Sequence, residues 1–415
     1  MQSANQQTAA FDVVVVGAGM VGTSLSALLG NAGMRVGLIE TRPAPLMPSE
    51  RGADTPPTPR VSALTPVSQR LLTHLQAWPG MQADRVTPYS FMHVWDGEGS
   101  GDIHFSADEA GVAVLGHIVE NDVTLAALNQ QLVNHPKVTR FNGVTVEALQ
   151  TGARQRYLAL NDGRQLQAPL VVAADGARSL LREMAEIEVR EEDMGHTSVV
   201  TTVRCEKPHG NTARQVFVDG QPLAFLPLTV KGDDHYCSIV WSVEPSRAEQ
   251  LCGLSRDALG KALAAALEHR LGQVEVCDQA HGFPLIQRHA RHYVLANFAL
   301  VGDAAHSIHP LAGQGVNLGL MDAAVLAEEV INAWQRGAAW GDERILSRYE
   351  RRRRADNTAM LALMKGFKTL FGSRHPALML ARNMGMSGVN RLAPLKRAVM
   401  HQATGERGRL PASCR

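Results

Sequence analysis

Residues Phe11 to Glu40 read FDVVVVGAGMVGTSLSALLGNAGMRVGLIE. Val13 to Val16 is an unbroken β-branched run, the pattern of a parallel strand covered on both faces. Gly17-Ala18-Gly19-Met20-Val21-Gly22 follows at once, and a helical apolar run continues to Asn31-Ala32-Gly33. Val36 to Ile39 then reads as a second strand that ends at Glu40. This is a βαβ unit with G-x-G-x-x-G in its first turn. Gly17 makes the tight turn, Gly19 admits a pyrophosphate, and Gly22 lets helix and strand pack closely. Glu40 lies 18 residues after Gly22, where an acid that grips a ribose is expected. The motif alone is weak; strand, helix, second strand and acid in register predict a dinucleotide site. Glu in place of Arg there suits FAD or NAD better than NADP.

A second informative stretch, Val301 to Asn317, reads VGDAAHSIHPLAGQGVN. The short apolar run Phe298 to Val301 ends in Gly302-Asp303. A loop with Pro310, Gly313, Gly315 and Gly319 leads into an apolar-periodic helix. An acid at a strand end can hold a ribityl hydroxyl. Gly313-Gln314-Gly315 lets backbone approach a flat ring, and Val316-Asn317 start a helix whose positive end faces it. A third signal is the strand Leu170 to Ala174 followed by Asp175-Gly176-Ala177-Arg178-Ser179, through Arg182. Alone it is an ordinary turn and helix cap; behind a dinucleotide fold it points to the cofactor.

In this order the three motifs resemble the flavin-dependent aromatic hydroxylases of the 4-hydroxybenzoate hydroxylase type. The resemblance spans about Phe11 to Gly405. Arg60 to Leu64, Leu115 to Asn121, Ala224 to Leu228 and Cys237 to Ser242 narrow it to the FAD-dependent hydroxylases of ubiquinone biosynthesis. Gln215 to Phe217 and Cys237 to Ser242 resemble the members that act on ring C5 of a 2-polyprenylphenol. Hydroxylation at C6 in the same pathway, or a non-catalytic flavoprotein-like scaffold, are the alternatives. The resemblance implies FAD, with Arg60 and Asp175 among its contacts, and an α/β fold. That fold is an FAD-binding Rossmann-like βαβ domain, an inserted antiparallel substrate sheet and a C-terminal helical region. It also implies O2 chemistry through a flavin C4a-hydroperoxide, with electrons from NAD(P)H or a separate reductase. Asp193-Met194-Gly195-His196 departs from the aromatic-containing stretch common at the entry to the substrate sheet.

Composition agrees. The chain has 415 residues, 45% hydrophobic and 20% charged, with a net charge of +1, which gives no drive towards nucleic acid. Five scattered cysteines without a C-x-x-C pair read as reduced thiols. The first ten residues are polar, so no secretory leader is expected, and no apolar run reaches the ~18 residues of a membrane span. The expected location is cytoplasmic, peripheral at the inner membrane.

The expected organisation is interleaved. Residues 1–85, 112–185 and 295–343 form the FAD-binding domain, 86–111 and 186–294 the substrate sheet, and 344–415 a basic helical region. Pro43 to Pro59 reads as a loop over the cofactor, and Tyr293 to Val301 as the strand that returns the chain to it. Phe225, Pro227 and Trp241 are the candidate substrate-pocket walls, with plain core as the alternative for each. His306 and His309 are conceivable acid/base groups but read better as loop-ordering hydrogen bonders; two His three apart without a third ligand predict no metal. Between Arg344 and Arg397 thirteen Lys/Arg face two acids, Glu350 and Asp356. With Met360, Leu363, Met364, Phe367 and Phe371 this reads as a membrane-surface helix or a contact with other ubiquinone-biosynthesis proteins, the alternative being a helical cap packed on the cofactor domain with a solvated basic face.

Overall fold

The computed structural model describes residues 8–47, 57–307, 315–372, 405–406 and 408–415. At its centre is a six-stranded sheet in the spatial order Val294–Leu295, Phe298–Leu300, Leu170–Ala173, Val13–Val16, Val36–Glu40, Val138–Asn142. All neighbours are parallel except the Val294–Leu295 edge. Val13–Val16 is the first strand in sequence and lies in the middle, so the order reverses beside it, between it and Leu170–Ala173. Both strands are buried throughout, as a central parallel strand requires. The helices Met20–Asn31 and Gly315–Gln335 pack against one another near this sheet, and Leu25, Leu29, Leu320 and Val330 join its core.

The strand expected over Tyr293 to Val301 is instead a tight hairpin, Val294–Leu295 against Phe298–Leu300. The chain reverses at Asn297, which sits at φ 61°. Asparagine tolerates that left-handed conformation. Its side-chain amide secures the turn by donating to the carbonyls of Pro169 at 2.7 Å and Arg154 at 3.1 Å.

A nine-stranded sheet forms the second layer. From one edge it runs His306–Ser307, His281–Ala290, Val189–Cys205, Asp233–Val243, Gln221–Val230, Thr212–Val218, Phe91–Asp96, Asp102–Ser106, and Val274–Val276 pairs with Val189–Cys205. One face is closed by the helices Pro245–Cys252 and Arg256–Ala266, whose Leu251, Leu259 and Leu263 pack on Val199, Phe225, Ile239 and Trp241. The other face meets the three-stranded sheet of Val61–Leu64, Gly116–Glu120 and Thr87–Tyr89 through Ala224, Leu226, Leu228 and Ile118. Asp193 to His196 forms a bulge between the partners Asp193↔Ile286 and Thr197↔Pro284, with Gly195 at φ 63°. The unusual wording of that stretch is thus a local widening of the strand.

The helix Glu343–Gly372 is continuous over 30 residues. Its run of four arginines is not a uniformly solvated basic face. Arg353 is 3% exposed and paired with Asp322, and Arg352 bonds Glu328 and Glu329. Among the described residues no helix is long and apolar enough to cross a membrane. The segment Leu378 to Met386 and the cations from Arg374 to Arg397 lie outside the described residues.

The parallel sheet depends on glycine where the first strand ends. Gly17 has φ 103°, and a Cβ on it would lie 2.3 Å from the Ala174 carbonyl oxygen. Gly17→Ala therefore combines a disfavoured backbone with a backbone clash. It should destabilise the protein by at least about 2 kcal/mol, read as a lower urea midpoint, and should block FAD loading.

Candidate active site

Three turns meet at the carboxyl ends of three adjacent parallel strands. Gly17 follows Val13–Val16, Asp175-Gly176 follows Leu170–Ala173, and Gly302-Asp303 follows Phe298–Leu300. This is the place in an open α/β sheet, beside the reversal of strand order, where ligands bind. The sequence spreads these turns over nearly three hundred residues; strand adjacency brings them together.

The first turn leaves donors free. The Met20–Asn31 helix begins at Gly19 with no side-chain cap and no acid in its first turn. A Cβ on Gly19 would meet nothing within 4 Å, so the backbone there faces open space. Gly22 is the opposite case: a Cβ would lie 1.9 Å from the Gly17 carbonyl oxygen. An uncapped helix start with exposed backbone is an anion site.

Glu40 ends the neighbouring parallel strand, Val36–Glu40. One of its oxygens accepts from Ala18 N at 2.8 Å, and the other accepts from Arg42 N at 3.0 Å and Arg42 Nε at 3.1 Å. Burial works to raise its carboxyl, but these bonds to Arg42 and Ala18 win and hold it below the ordinary range. Glu40 therefore stays ionised and orders the glycine turn. Asp175 differs. Burial raises its carboxyl, against bonds from Ser179 and the Leu181 amide. One of its oxygens accepts from Leu181 N at 3.1 Å, while Oδ1 is buried without a partner among the described residues.

Asp303 is exposed to solvent, with protein close around its carboxyl. That crowding raises its carboxyl, while His306, Arg60 and Arg288 pull it down. Arg60, expected among the cofactor contacts, is exposed and lies over the Phe283 ring at 5.7 Å.

The Gly302 turn is held from behind. The Asp322 carboxylate is fully buried and accepts from Gly302 N at 3.0 Å, His306 Nε2 at 2.6 Å and Arg353 Nε at 2.7 Å. Burial would raise this carboxyl, but His306 and Arg353 hold it below the ordinary range. His306 is 2% exposed, so its contacts order the loop. Arg353 also bonds Asn357 at 2.9 Å, and Asn357 reaches the Tyr293 hydroxyl, which meets His289 at 2.8 Å. Sequence reading missed Asp322, Arg353 and Asn357. Asp322 sits within an apolar helical run and Arg353 within a run of arginines, so each blends into its surroundings.

Several expected ring contacts find other places. His309, Pro310, Gly313 and Gln314 lie outside the described residues. The helix begins at Gly315, so Gly319 belongs to its second turn rather than to the loop. A Cβ on Gly319 would lie 2.6 Å from Val21 and 3.2 Å from the Gly302 Cα, so this glycine lets two helices close on the turn. The Asn317 side chain is taken up elsewhere. It donates to Ala63 O at 2.8 Å and accepts from Thr65 N at 3.0 Å and Ser68 Oγ at 2.7 Å. Its amide therefore ties the helix start to Val61–Leu64 and the following helix. The first turn, Gly315 to Asn317, carries no acid.

The expected pocket walls need correction. Phe225 and Trp241 are buried under the two helices of the substrate layer. Pro227 pairs with Cys237 and Phe225 with Ile239, which places all three residues on that same face. They are core. The opposite phase faces the cofactor layer: Ser238 Oγ donates to Pro59 O at 3.2 Å and Thr202 Oγ1 to Pro57 O at 2.9 Å. On that face, cross-strand pairing aligns Phe283, Ser198 and Ser242, then Val200 and Val240. Phe283 is 42% exposed, a large aromatic left open beside Arg60.

His93, Asp102 and His104 bring three metal-ligand side chains together at the far edge of the sheet. The two rings stack at 3.8 Å and 20°, so their in-plane lone pairs do not converge, and Arg270 approaches His93 Nδ1 to 3.3 Å. A guanidinium already supplies the positive charge there.

These features have known counterparts. The p-nitrophenol 4-monooxygenase PnpA from Pseudomonas putida DLL-E4 has the same fold, with a TM-score of 0.76 at 21% identity over 97% of this chain and 100% of that one. A family model described as an FAD binding domain matches residues 10–363. With 31% identity over 443 residues to a ubiquinone biosynthesis monooxygenase of Xenopus tropicalis, covering 94% of this chain and 93% of that one, the family match defines an FAD-dependent monooxygenase. More narrowly, the chain belongs to the ubiquinone-biosynthesis hydroxylase family. It is 39% identical over 402 residues to the 3-demethoxyubiquinol 3-hydroxylase of Escherichia coli (strain K12), covering 97% of this chain and 99% of that one. It is 34% identical over 395 residues to the ubiquinone hydroxylase UbiL of Rhodospirillum rubrum, covering 95% and 89%.

Glu40 yields a second prediction. Charge-assisted hydrogen bonds to a carboxylate contribute roughly 1.5–3 kcal/mol. Glu40→Ala should therefore weaken FAD about tenfold or more in a flavin-fluorescence titration. Because the folded value lies below the unfolded one of about 4.3, the carboxylate's contribution is complete above that pH. It is lost as pH falls through the lower, folded value.

Proposed function

We propose that this monooxygenase hydroxylates the ring of an isoprenoid-tailed quinol or phenol at a position that later bears a methoxy group. The observation that carries this reading is the 39% identity, over nearly the full length of both chains, to a relative named as a 3-demethoxyubiquinol 3-hydroxylase. Hydroxylation at ring C5 of a polyprenylphenol, favoured by the wording of Gln215 to Phe217 and Cys237 to Ser242, is the second reading.

The residues fit FAD. The free donors of the Gly17–Gly22 turn suit its pyrophosphate, Glu40 its ribose and Asp303 its ribityl chain. The start of the Gly315–Gln335 helix, free of acids, suits a ring that gains negative charge on reduction. Bound FAD supplies the activation of O2 and delivers one oxygen atom to the substrate. The protein's part is to hold the substrate ring beside the flavin and to exclude water. Phe283, Val200 and Val240, which share the face towards the cofactor layer, supply an apolar wall for that purpose. NAD(P)H or a separate reductase supplies the electrons. Cells lacking this protein should accumulate a quinone short of one methoxy group, identified by mass. Accumulation of the undecorated polyprenylphenol instead would select the C5 reading.

The isoprenoid tail of such a substrate sits in lipid. We propose that the enzyme is peripheral at the inner membrane, docked by the basic stretch beyond Met360 that carries Lys365 and Lys368. Each well-placed cation adds roughly 1 kcal/mol of attraction to anionic lipid, weakened by salt. Reversing both charges, Lys365→Glu with Lys368→Glu, should release the protein from anionic liposomes. It should slow turnover of the prenylated substrate while a short-chain analogue is still oxidised. Sedimentation indifferent to salt and to these changes would overturn membrane docking and leave the region as a structural cap or a protein-partner surface.

A further inference from the structure

We propose that Asp322 and Arg353 form a positioning pair whose balanced charge sets the reduction potential of the flavin. The inference rests on the reading that the Gly302-Asp303 turn holds the flavin.

The geometry makes the pair unusual for a structural salt bridge. Both side chains are almost wholly removed from water, at 0% and 3% exposure. Asp322 does not only meet Arg353. It also accepts the Gly302 amide, the peptide N–H immediately before Asp303. Gly302 adopts φ 60°, and Val21 and Gly319 pack against it, so the turn has little room to take another orientation. A full negative charge is thus fixed directly behind the turn. A flavin gains negative charge when reduced, so a buried carboxylate alone at this place would oppose reduction. Arg353 cancels that charge through the 2.7 Å contact of its Nε. Its remaining donors go to Asp356, Asn357 and Leu318 O, which leaves it no freedom to turn away.

The other charged groups near the turn are Asp303, Arg60, Arg288 and His306, with Asp356 and Arg354 contributed by the long helix and His289 by the sheet. Among the described residues, only His306 of these contacts Asp322, and Asp356 contacts Arg353 at 3.0 Å. The pair is therefore the local charge balance, and each partner should act on the flavin with opposite sign.

The test is the midpoint potential of the FAD-loaded full chain, measured by dye equilibration. Asp322→Asn keeps an acceptor for the Gly302 amide but removes the negative charge, so the potential should rise. Arg353→Met removes the positive charge, so the potential should fall. The double variant should return close to the unaltered protein, and Arg353→Lys, which keeps the charge, should shift little. A merely structural pair would lower the melting temperature in both single variants without shifts of opposite sign. Equal-sign or absent shifts in folded, FAD-loaded single variants overturn the proposal. Should the single variants fail to fold, Asp356→Asn serves instead. It removes a half-exposed acid from the same arginine and should raise the potential by less; no rise overturns the proposal. Asp303→Ala separates the underlying reading. If FAD affinity is unchanged in that variant, the turn does not hold the flavin, whatever the potentials show.

Discussion

The Asp322 carboxylate is the contact through which the rest of the site is held. A buried charge is costly unless it is paired and fully bonded, and breaking such a pair typically costs about 3–5 kcal/mol. Here one carboxylate satisfies the Gly302 amide, His306 and Arg353 at once. Those partners come from the turn after the last parallel strand, from the sheet edge at His306–Ser307, and from the long helix Glu343–Gly372. The same side chain therefore registers the cofactor layer against the substrate layer, and both against the C-terminal helix. Tyr349 adds a second tie by donating to Leu300 O at 2.7 Å.

Glycine sets the complementary constraint. Where Asp322 draws elements together, the absent side chains of Gly17, Gly22, Gly302 and Gly319 let them arrive. A Cβ at Gly17 or Gly22 would strike backbone, and one at Gly319 would press on Val21 and Gly302. Gly19 and Gly315 have no such neighbour among the described residues. The two groups serve different ends: the first makes the packing, and the second leaves backbone open to a ligand.

The parallel strands were legible because burial on both faces forces an unbroken apolar run, as in Val13 to Val16 and Leu170 to Ala173. The glycine turns were legible because their backbone tolerates little else. The substrate face was not. Phe225 and Trp241 are the largest side chains of their strands, and the sequence leaves open whether they wall a pocket or fill the core. A strand shows both faces to the reader with equal weight, and only the packing of Pro245–Cys252 and Arg256–Ala266 says which face is core. The Asp322–Arg353 contact was hidden for a related reason. Its members lie 31 residues apart on two helices, and neither position carries a local signal.

The cofactor layer also imposes an order on the birth of the chain. Its central strands, Val13–Val16 and Leu170–Ala173, lie side by side but are separated by more than a hundred and fifty residues. The next strand, Phe298–Leu300, arrives only after the whole substrate sheet except its His306–Ser307 edge strand has been made. Asp322 and Arg353 come later still. During synthesis Val13–Val16 can pair early with Val36–Glu40, but its other edge must wait for Leu170–Ala173. Long-range parallel pairing of this kind is slow to form and prone to aggregate before it does. On the proposed reading, in which FAD rests on all three turns, its full site exists only once the chain is nearly complete, so that binding would favour finished molecules over truncated ones.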